Sequence, residues 1–232
     1  MRGIFVTGTG TGIGKTAVAA GIAWALRKRE IDIGVMKPFA TANKVFSMRY
    51  KSYDTALLAR ASGVKEPDRE LNPFFYPLAA SPIMASRILR IRSIKIEEAV
   101  QAVKILADKH DFLIVEGIGG IMVPLTEKEH VADFAKQIGL PVVIVSQPAL
   151  GTINHTLLTI MACGQFDLDL KGIIINKMPK KPTIIEQKTP KFLEKWSGIP
   201  ILGILPFLKS ISYLRMGKMI EEKIQLNELL SV

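Results

Sequence analysis

The residues best able to do chemistry stand near the amino terminus, in Gly8-Thr9-Gly10-Thr11-Gly12-Ile13-Gly14-Lys15-Thr16, with Ala17 opening a helical run. Alternating glycines let the backbone curl until successive N–H groups face phosphate oxygens, and the next helix adds the positive end of its dipole. Lys15 supplies a point charge for β- and γ-phosphates, and the Thr16 hydroxyl suits Mg²⁺. A glycine-rich turn that only caps a helix is the competing reading. Gly-Lys-Thr between a strand and a helix favours phosphate. The loop is one residue longer than the usual GxxxxGK[ST], because Thr9 holds the place expected for the first glycine. A second lysine near the loop's start is also missing.

A phosphate loop needs carboxylates for its metal. Glu116 closes the apolar run Phe112-Leu113-Ile114-Val115 and precedes Gly117-Ile118-Gly119-Gly120. An acid at the end of a buried strand suits a Mg²⁺ ligand, and the glycines allow backbone close to phosphate. The alternative is an acid opening an ordinary turn. Asp54 starts another helical run, where it is either a second metal ligand or a first-turn acid complementing the helix dipole. Lys37 ends Val35-Met36-Lys37-Pro38. A lysine there is either a cation for a transferring phosphoryl group or a side chain snorkelling from a strand end.

Other polar residues carry less. His110, His130 and His155 share no metal-ligand spacing and read as structural. Cys163, Met161 and Trp24 fall at helical positions and read as core packing. Ser81, Ser86 and Ser146 lack a G-x-S-x-G context.

Positioning these residues requires strands that end at one edge. Gly3–Thr7, Ile33–Lys37, Phe112–Glu116, Val142–Ser146, Gly172–Asn176 and Ile201–Leu205 read as buried strands. Helical patterns cover Thr16–Arg29, Tyr53–Ser62, Pro82–Leu89, Ile96–Lys109, Val131–Ile138, Ile153–Cys163, Ile184–Trp196 and Met216–Leu229. The alternation predicts an α/β, three-layer, doubly wound and mainly parallel sheet of the P-loop NTPase kind, with ligands beyond the strands' carboxyl ends. Asn72–Pro77 reads as an ordered loop. No Ser/Gly-rich linker divides the chain, so residues 1–232 read as a single domain.

Composition agrees: 232 residues, 48% hydrophobic and 22% charged, are ordinary globular material. Apolar runs are strand-sized, no signal-peptide pattern opens the chain, and one cysteine permits no internal disulfide. A cytoplasmic protein is the expectation. The net charge of +10 admits nucleic acid, anionic membranes or polyanionic small substrates as partners. The lysines are scattered without interleaved aromatics, which argues against nucleic acid and membrane.

The assembled residues resemble the dethiobiotin synthetases along nearly the whole chain. The ordered landmarks are Phe5-Val6-Thr7-Gly8-Thr9, the long loop through Thr16, Lys37-Pro38, Asp54, Asn72-Pro73, Ser81-Pro82 and Val115-Glu116-Gly117 with Gly119-Gly120. Leu150-Gly151-Thr152-Ile153-Asn154-His155, Ile175-Asn176 and Pro206-Phe207-Leu208 complete them. The resemblance implies an ATP- and Mg²⁺-dependent ligase in biotin synthesis. Such an enzyme carboxylates 7,8-diaminononanoate with CO₂ and closes a ureido ring through a carbamic-phosphoric anhydride. It also implies that Thr16, Asp54 and Glu116 hold Mg²⁺, and that Lys15 and Lys37 bridge phosphate and carbamate. Thr11 then faces the carbamate and Thr41 the diamine. Asn176 reads adenine, with Pro206, Phe207 and Leu208 beside the base. The family's members are homodimers, in which Gly151 and Asn154 of one subunit meet the carboxylate of substrate held by the other.

Two departures stand out: Gly10 and Gly12 replace acids common in the loop, and Lys209-Ser210-Ile211-Ser212 lacks the acids common after Leu208. Two competing readings remain. A corrinoid-amidating ligase would need a glutaminase domain, and a partition-type ATPase acting on DNA or membrane would favour a second loop lysine.

Overall fold

The computed structural model describes residues 1–210 and 212–231, so Ile211 of the stretch after Leu208 lies outside the described residues. Six strands form the central sheet: β1 (Gly3–Gly8), β2 (Ile33–Met36), β5 (Phe112–Glu116), β6 (Val142–Ser146), β7 (Leu170–Met178) and β8 (Ile201–Pro206). Their spatial order is β2-β5-β1-β6-β7-β8, with every neighbouring pair parallel. Strands β1, β2, β5 and β6 are buried along their whole length, which is why their sequences run apolar without alternation.

Chain direction across the sheet reverses around β1. Helix α1 (Lys15–Lys28) returns to β2 on one side, while α6 (Val131–Ile138) carries the chain from β5 to β6 on the other. Right-handed crossovers therefore put helices on both faces. Helix α1 packs with α2 (Tyr53–Ser62) and α9 (Tyr213–Lys223). On the opposite face α5 (Ile96–Ala107) meets α6, and α7 (Thr152–Gln165) meets α8 (Ile184–Ser197). The expected three-layer, doubly wound architecture is present.

Three details depart from the sequence reading. Phe39–Thr41 (β3) and Phe74–Tyr76 (β4) form a separate two-stranded parallel sheet inside what read as loops. It packs through Phe39 on Phe74 and Phe134, with ring centroids 5.9 and 5.0 Å apart. The short helices α3 (Asp68–Leu71) and α4 (Pro82–Leu89) flank β4. The run Met216–Leu229 is not one helix. Ile224 leaves it to bridge Gly203 on the edge strand β8, and α10 (Leu226–Leu230) follows. An edge strand's unpaired groups are thereby covered.

The third departure is Met161, which is 69% exposed, not core, because α7 turns Thr152, Thr156, Thr159 and Cys163 inward instead. Trp24 is only half-buried. Cys163 packs as expected, and burial raises its thiol to about 12. His110 lies between Asp32 (3.1 Å) and Glu66 (3.2 Å), and His130 forms a capping box with Asp133. No described helix is long and apolar enough to cross a membrane.

Helix α9 approaches α1 closely at Gly217, where a Cβ would come within 2.1 Å of the Trp24 ring. Gly217→Val should therefore lower unfolding stability by about 1–3 kcal/mol through overpacking, read from the urea midpoint. A midpoint equal to that of the native protein would show that α9 can move away freely.

Candidate active site

Strand register brings the charged residues together. Met36 pairs with Val115, so Lys37 leaves β2 beside Glu116 at the end of β5, and Val6 of β1 pairs with Glu116 from the other side. Lys37 Nζ donates to Glu116 Oε1 at 2.6 Å and to the Gly117 carbonyl at 2.8 Å, and lies 3.2 Å from Asp54 Oδ2. The Thr16 hydroxyl donates to the same Glu116 oxygen at 2.8 Å. A buried cation needs such partners, since removing it from water without them costs several kcal/mol.

The Lys37 backbone is fixed as firmly as its side chain. Its N–H donates to Leu71 O (2.8 Å), and the Asn72 amide donates to its carbonyl (2.6 Å). In the sequence Asn72 is only a family landmark. Its positioning role comes from a contact spanning 35 residues, for which local pattern carries no signal.

Glu116 Oε2 is buried and meets no protein donor. A desolvated carboxylate oxygen without a partner is unfavourable. Burial accordingly raises the Glu116 carboxyl above its ordinary range, and Lys37 offsets this only in part. With the Thr16 hydroxyl and the Asp54 carboxylate alongside, the donor set is all oxygen. It fits a hard divalent cation such as Mg²⁺.

Helix α1 begins at Gly14 without a side-chain cap. Gly14 has φ 98°, and a Cβ there would lie 2.2 Å from Asn176 Nδ2, so both conformation and space demand glycine. Lys15 Nζ donates to Gly10 O at 2.8 Å. Burial and the charge of Lys37 lower Lys15 to about 8, against the pull of Glu116 and Asp54. For Lys37 burial also acts downward, but Glu116 and Asp54 outweigh it and hold the ammonium above its ordinary value.

A cavity of about 530 Å³ joins these groups. The phosphate loop contributes Thr11, Gly12, Gly14, Lys15, Thr16 and Ala17. The strand ends and α2 contribute Lys37, Thr41, Asp54, Glu116, Ile118 and Gly119. Sequence reading missed Tyr53, Leu57, Ala79 and Ala80, which also wall the cavity, and gave the landmark Ser81-Pro82 beside them no role in the site.

The remaining expected residues lie elsewhere. Ile13 packs beneath the loop, and Gly117 contributes its carbonyl to Lys37. Asn176 Nδ2 donates to Ile13 O at 2.9 Å, behind the loop. Pro206 ends β8, Phe207 is half exposed and joins Met178 O through its N–H, and Leu208 is half-buried. Gly151 and Asn154 stand at the exposed start of α7, away from the cavity lining.

Fold and site together define a phosphate-loop, nucleotide-dependent enzyme. Solved structures share the architecture. A ParA family ATPase from Chlorobium tepidum aligns over 100% of this chain and 99% of its own, with TM-score 0.59 and 18% identity. The MinD cell division protein of Aquifex aeolicus aligns over 99% and 94%, also with TM-score 0.59 and 18% identity. A family model described as an AAA domain matches residues 2–213.

Among curated relatives, the ATP-dependent dethiobiotin synthetase of Nitrosopumilus maritimus is 38% identical over 99% of this chain and 100% of its own. That of Bacillus licheniformis is 40% identical over 98% and 95%. That of Bacillus subtilis strain 168 is 36% identical over 100% and 98%. The chain belongs to the dethiobiotin synthetase family, and is an ATP-using ligase.

The lowered Lys15 value has a consequence for nucleotide binding. Phosphate oxygens favour the ammonium, so its value rises on binding. ATP affinity should be flat below about pH 8 and then fall up to about tenfold per pH unit, with proton uptake approaching about one per ATP. Calorimetry in buffers of different ionisation heat reads this directly. Binding without proton uptake at pH 9 would contradict the lowered value.

Proposed function

We propose that this chain is a single-domain, Mg²⁺-dependent dethiobiotin synthetase that carboxylates 7,8-diaminononanoate with CO₂ and closes the ureido ring at the expense of ATP. One observation carries the reading. A second lysine, Lys37, is buried in the cavity wall, sharing a Glu116 oxygen with Thr16 of the phosphate loop and held there by Glu116 and Asp54. A phosphate loop alone binds nucleotide. A carbamate nucleophile and the phosphoryl group it receives are both anionic, and both need a fixed cation.

In this reading one amine of the diamine takes up CO₂ to give a carbamate. Lys37 Nζ, giving up its longer contact to Asp54, holds a carbamate oxygen in line with the γ-phosphorus, with Thr11 and Thr41 orienting the diamine. The oxygen–phosphorus bond forms as ADP leaves. The second amine then attacks the carbonyl carbon, loses its proton and displaces phosphate. Lys15 follows the phosphate charge through both steps. No protein nucleophile is needed, because the gain comes from orientation and electrostatics. Mg²⁺ held by Thr16, Asp54 and Glu116 supplies neutralisation of the polyphosphate charge. With its nitrogen committed to Ile13, Asn176 keeps its amide oxygen to accept from the amino group of adenine, beside Pro206, Phe207 and Leu208.

The same reading includes a homodimer. Helix α7 turns three threonines and Cys163 to the core, while Leu158 and Met161 on it and Leu150 just before it are 55%, 69% and 100% exposed. Apolar residues left outward beside Gly151 and Asn154 suit a partner subunit that brings those residues to the substrate carboxylate. Leu158→Glu with Met161→Glu should yield monomers by light scattering and raise KM for the diamine. A dimer that persists in the double variant would place the interface elsewhere.

The direct test is phosphate release from Mg-ATP with and without the diamine and bicarbonate. Release requiring both, with dethiobiotin detected by mass spectrometry, is the expected result. ATP turnover indifferent to diamine would overturn the assignment. Lys37→Ala should lower kcat by about 10²–10³ while leaving ATP affinity within a few-fold. Loss of ATP binding in this variant would show that Lys37 serves the nucleotide and not the carbamate.

A further inference from the structure

Two neighbouring residues of β7 both reach the phosphate loop, which a regular strand forbids because successive side chains point to opposite faces. Ile175 pairs with Ile204 and Met178 with Pro206, so Asn176 and Lys177 together stand opposite one residue of β8. This is a β-bulge, a device that re-aims side chains. Lys177 has φ 62°, a left-handed conformation that a side-chain-bearing residue adopts only at a cost.

The bulge turns both side chains to one place. Asn176 Nδ2 donates to Ile13 O at 2.9 Å, and Lys177 Nζ donates to Gly12 O. Gly14 lies under the same pair, its missing Cβ 2.2 Å from Asn176 Nδ2 and 3.8 Å from Lys177 Cε. Three consecutive loop residues are thus held from one side. In a trans peptide the carbonyl and the following N–H point opposite ways. Drawing the Gly12 and Ile13 carbonyls toward β7 therefore turns the N–H groups of Ile13 and Gly14 away from it.

We propose that Lys177 is a positioning residue for the nucleotide. Its ammonium pins the Gly12 carbonyl so that the loop N–H groups are set for phosphate before ATP arrives. Neither composition nor the phosphate-loop motif draws attention to it, because it lies 165 residues from its partner. The inference rests on the nucleotide reading of the loop, and not on the identity of the second substrate.

The test compares native protein with Lys177→Ala, Lys177→Met and Lys177→Gly, using equilibrium binding of ATP and of inorganic tripolyphosphate, which has no base. The Gly variant keeps the left-handed backbone without strain and loses only the side chain. All three should weaken ATP and tripolyphosphate alike, by about tenfold, with unfolding temperature and the KM for diamine unchanged. Native affinity in the Gly variant would overturn the proposal. So would weakened ATP binding with tripolyphosphate unaffected, which would place Lys177 at the base. A parallel loss of thermal stability and diamine KM would reduce it to a structural residue. Failure of the native protein to bind either ligand would overturn the nucleotide reading itself, whereas binding without diamine-dependent turnover would overturn only the synthetase assignment.

Discussion

The buried pair of Lys37 and Glu116 is the interaction around which the rest of the site is arranged. Two charges taken this far from water are unfavourable unless each is fully partnered. Adjacent parallel strands meet the first requirement by register alone, since Lys37 falls opposite Glu116 once Met36 pairs with Val115. The surrounding loops meet the others. Gly117 offers its carbonyl, Asp54 comes in from α2, Thr16 donates from α1, and Asn72 holds the lysine's own backbone. Five segments distant in sequence thus share one electrostatic constraint. Glu116 Oε2 is left over, the one carboxylate oxygen of the pair's surroundings both buried and unpartnered among the described residues.

How much of this can be read from the chain depends on the range of each contact. Strands β1, β2, β5 and β6 and the middle of β7 are apolar runs, and burial on both faces writes itself into such runs. The phosphate loop, Lys37, Asp54 and Glu116 are legible because each sits where a strand or helix meets a turn. Three-residue strands such as Phe39–Thr41 carry no usable period, and their pairing is imposed by tertiary packing. Asn72 and Lys177 act through contacts 35 and 165 residues away, which no local pattern encodes. Met161 misleads for a physical reason. The helical period finds the helix and the inward place of Cys163 but misplaces Met161, because α7 buries threonines whose hydroxyls are satisfied by Ser146 and by the backbone of His155.

The fold itself decides little about activity. ParA and MinD proteins superpose on nearly the whole chain at 18% identity, a likeness of fold alone. The cavity takes much of its wall from the segment between β2 and β5. Lys37, the small β3–β4 sheet carrying Thr41, the Ala79–Pro82 turn and the start of α2 together wall a space beside the phosphate loop. A nucleotide switch has no need of a second reactant's chamber there, whereas a ligase must hold one within reach of the γ-phosphate.

Charge within the chamber explains how a protein of net charge +10 can present a poised rather than a saturated site. Lys15 and Lys37 are balanced at short range by Asp54 and Glu116, so the excess cations lie outside. Lys37 is locked by both acids, while Lys15 has only the Gly10 carbonyl and feels Lys37 as a like charge, which is part of why its proton is loosened. The two lysines are therefore not equivalent. One is a fixed cation whose charge is guaranteed by its partners, and the other is charged at neutral pH but loses its proton above about pH 8 unless phosphate holds it. Gly10 faces open space: a Cβ at this position would meet no atom within 4 Å. An acid there would fit sterically, and it would hold Lys15 charged in the absence of nucleotide. Glycine at this place leaves phosphate alone to keep Lys15 charged above about pH 8.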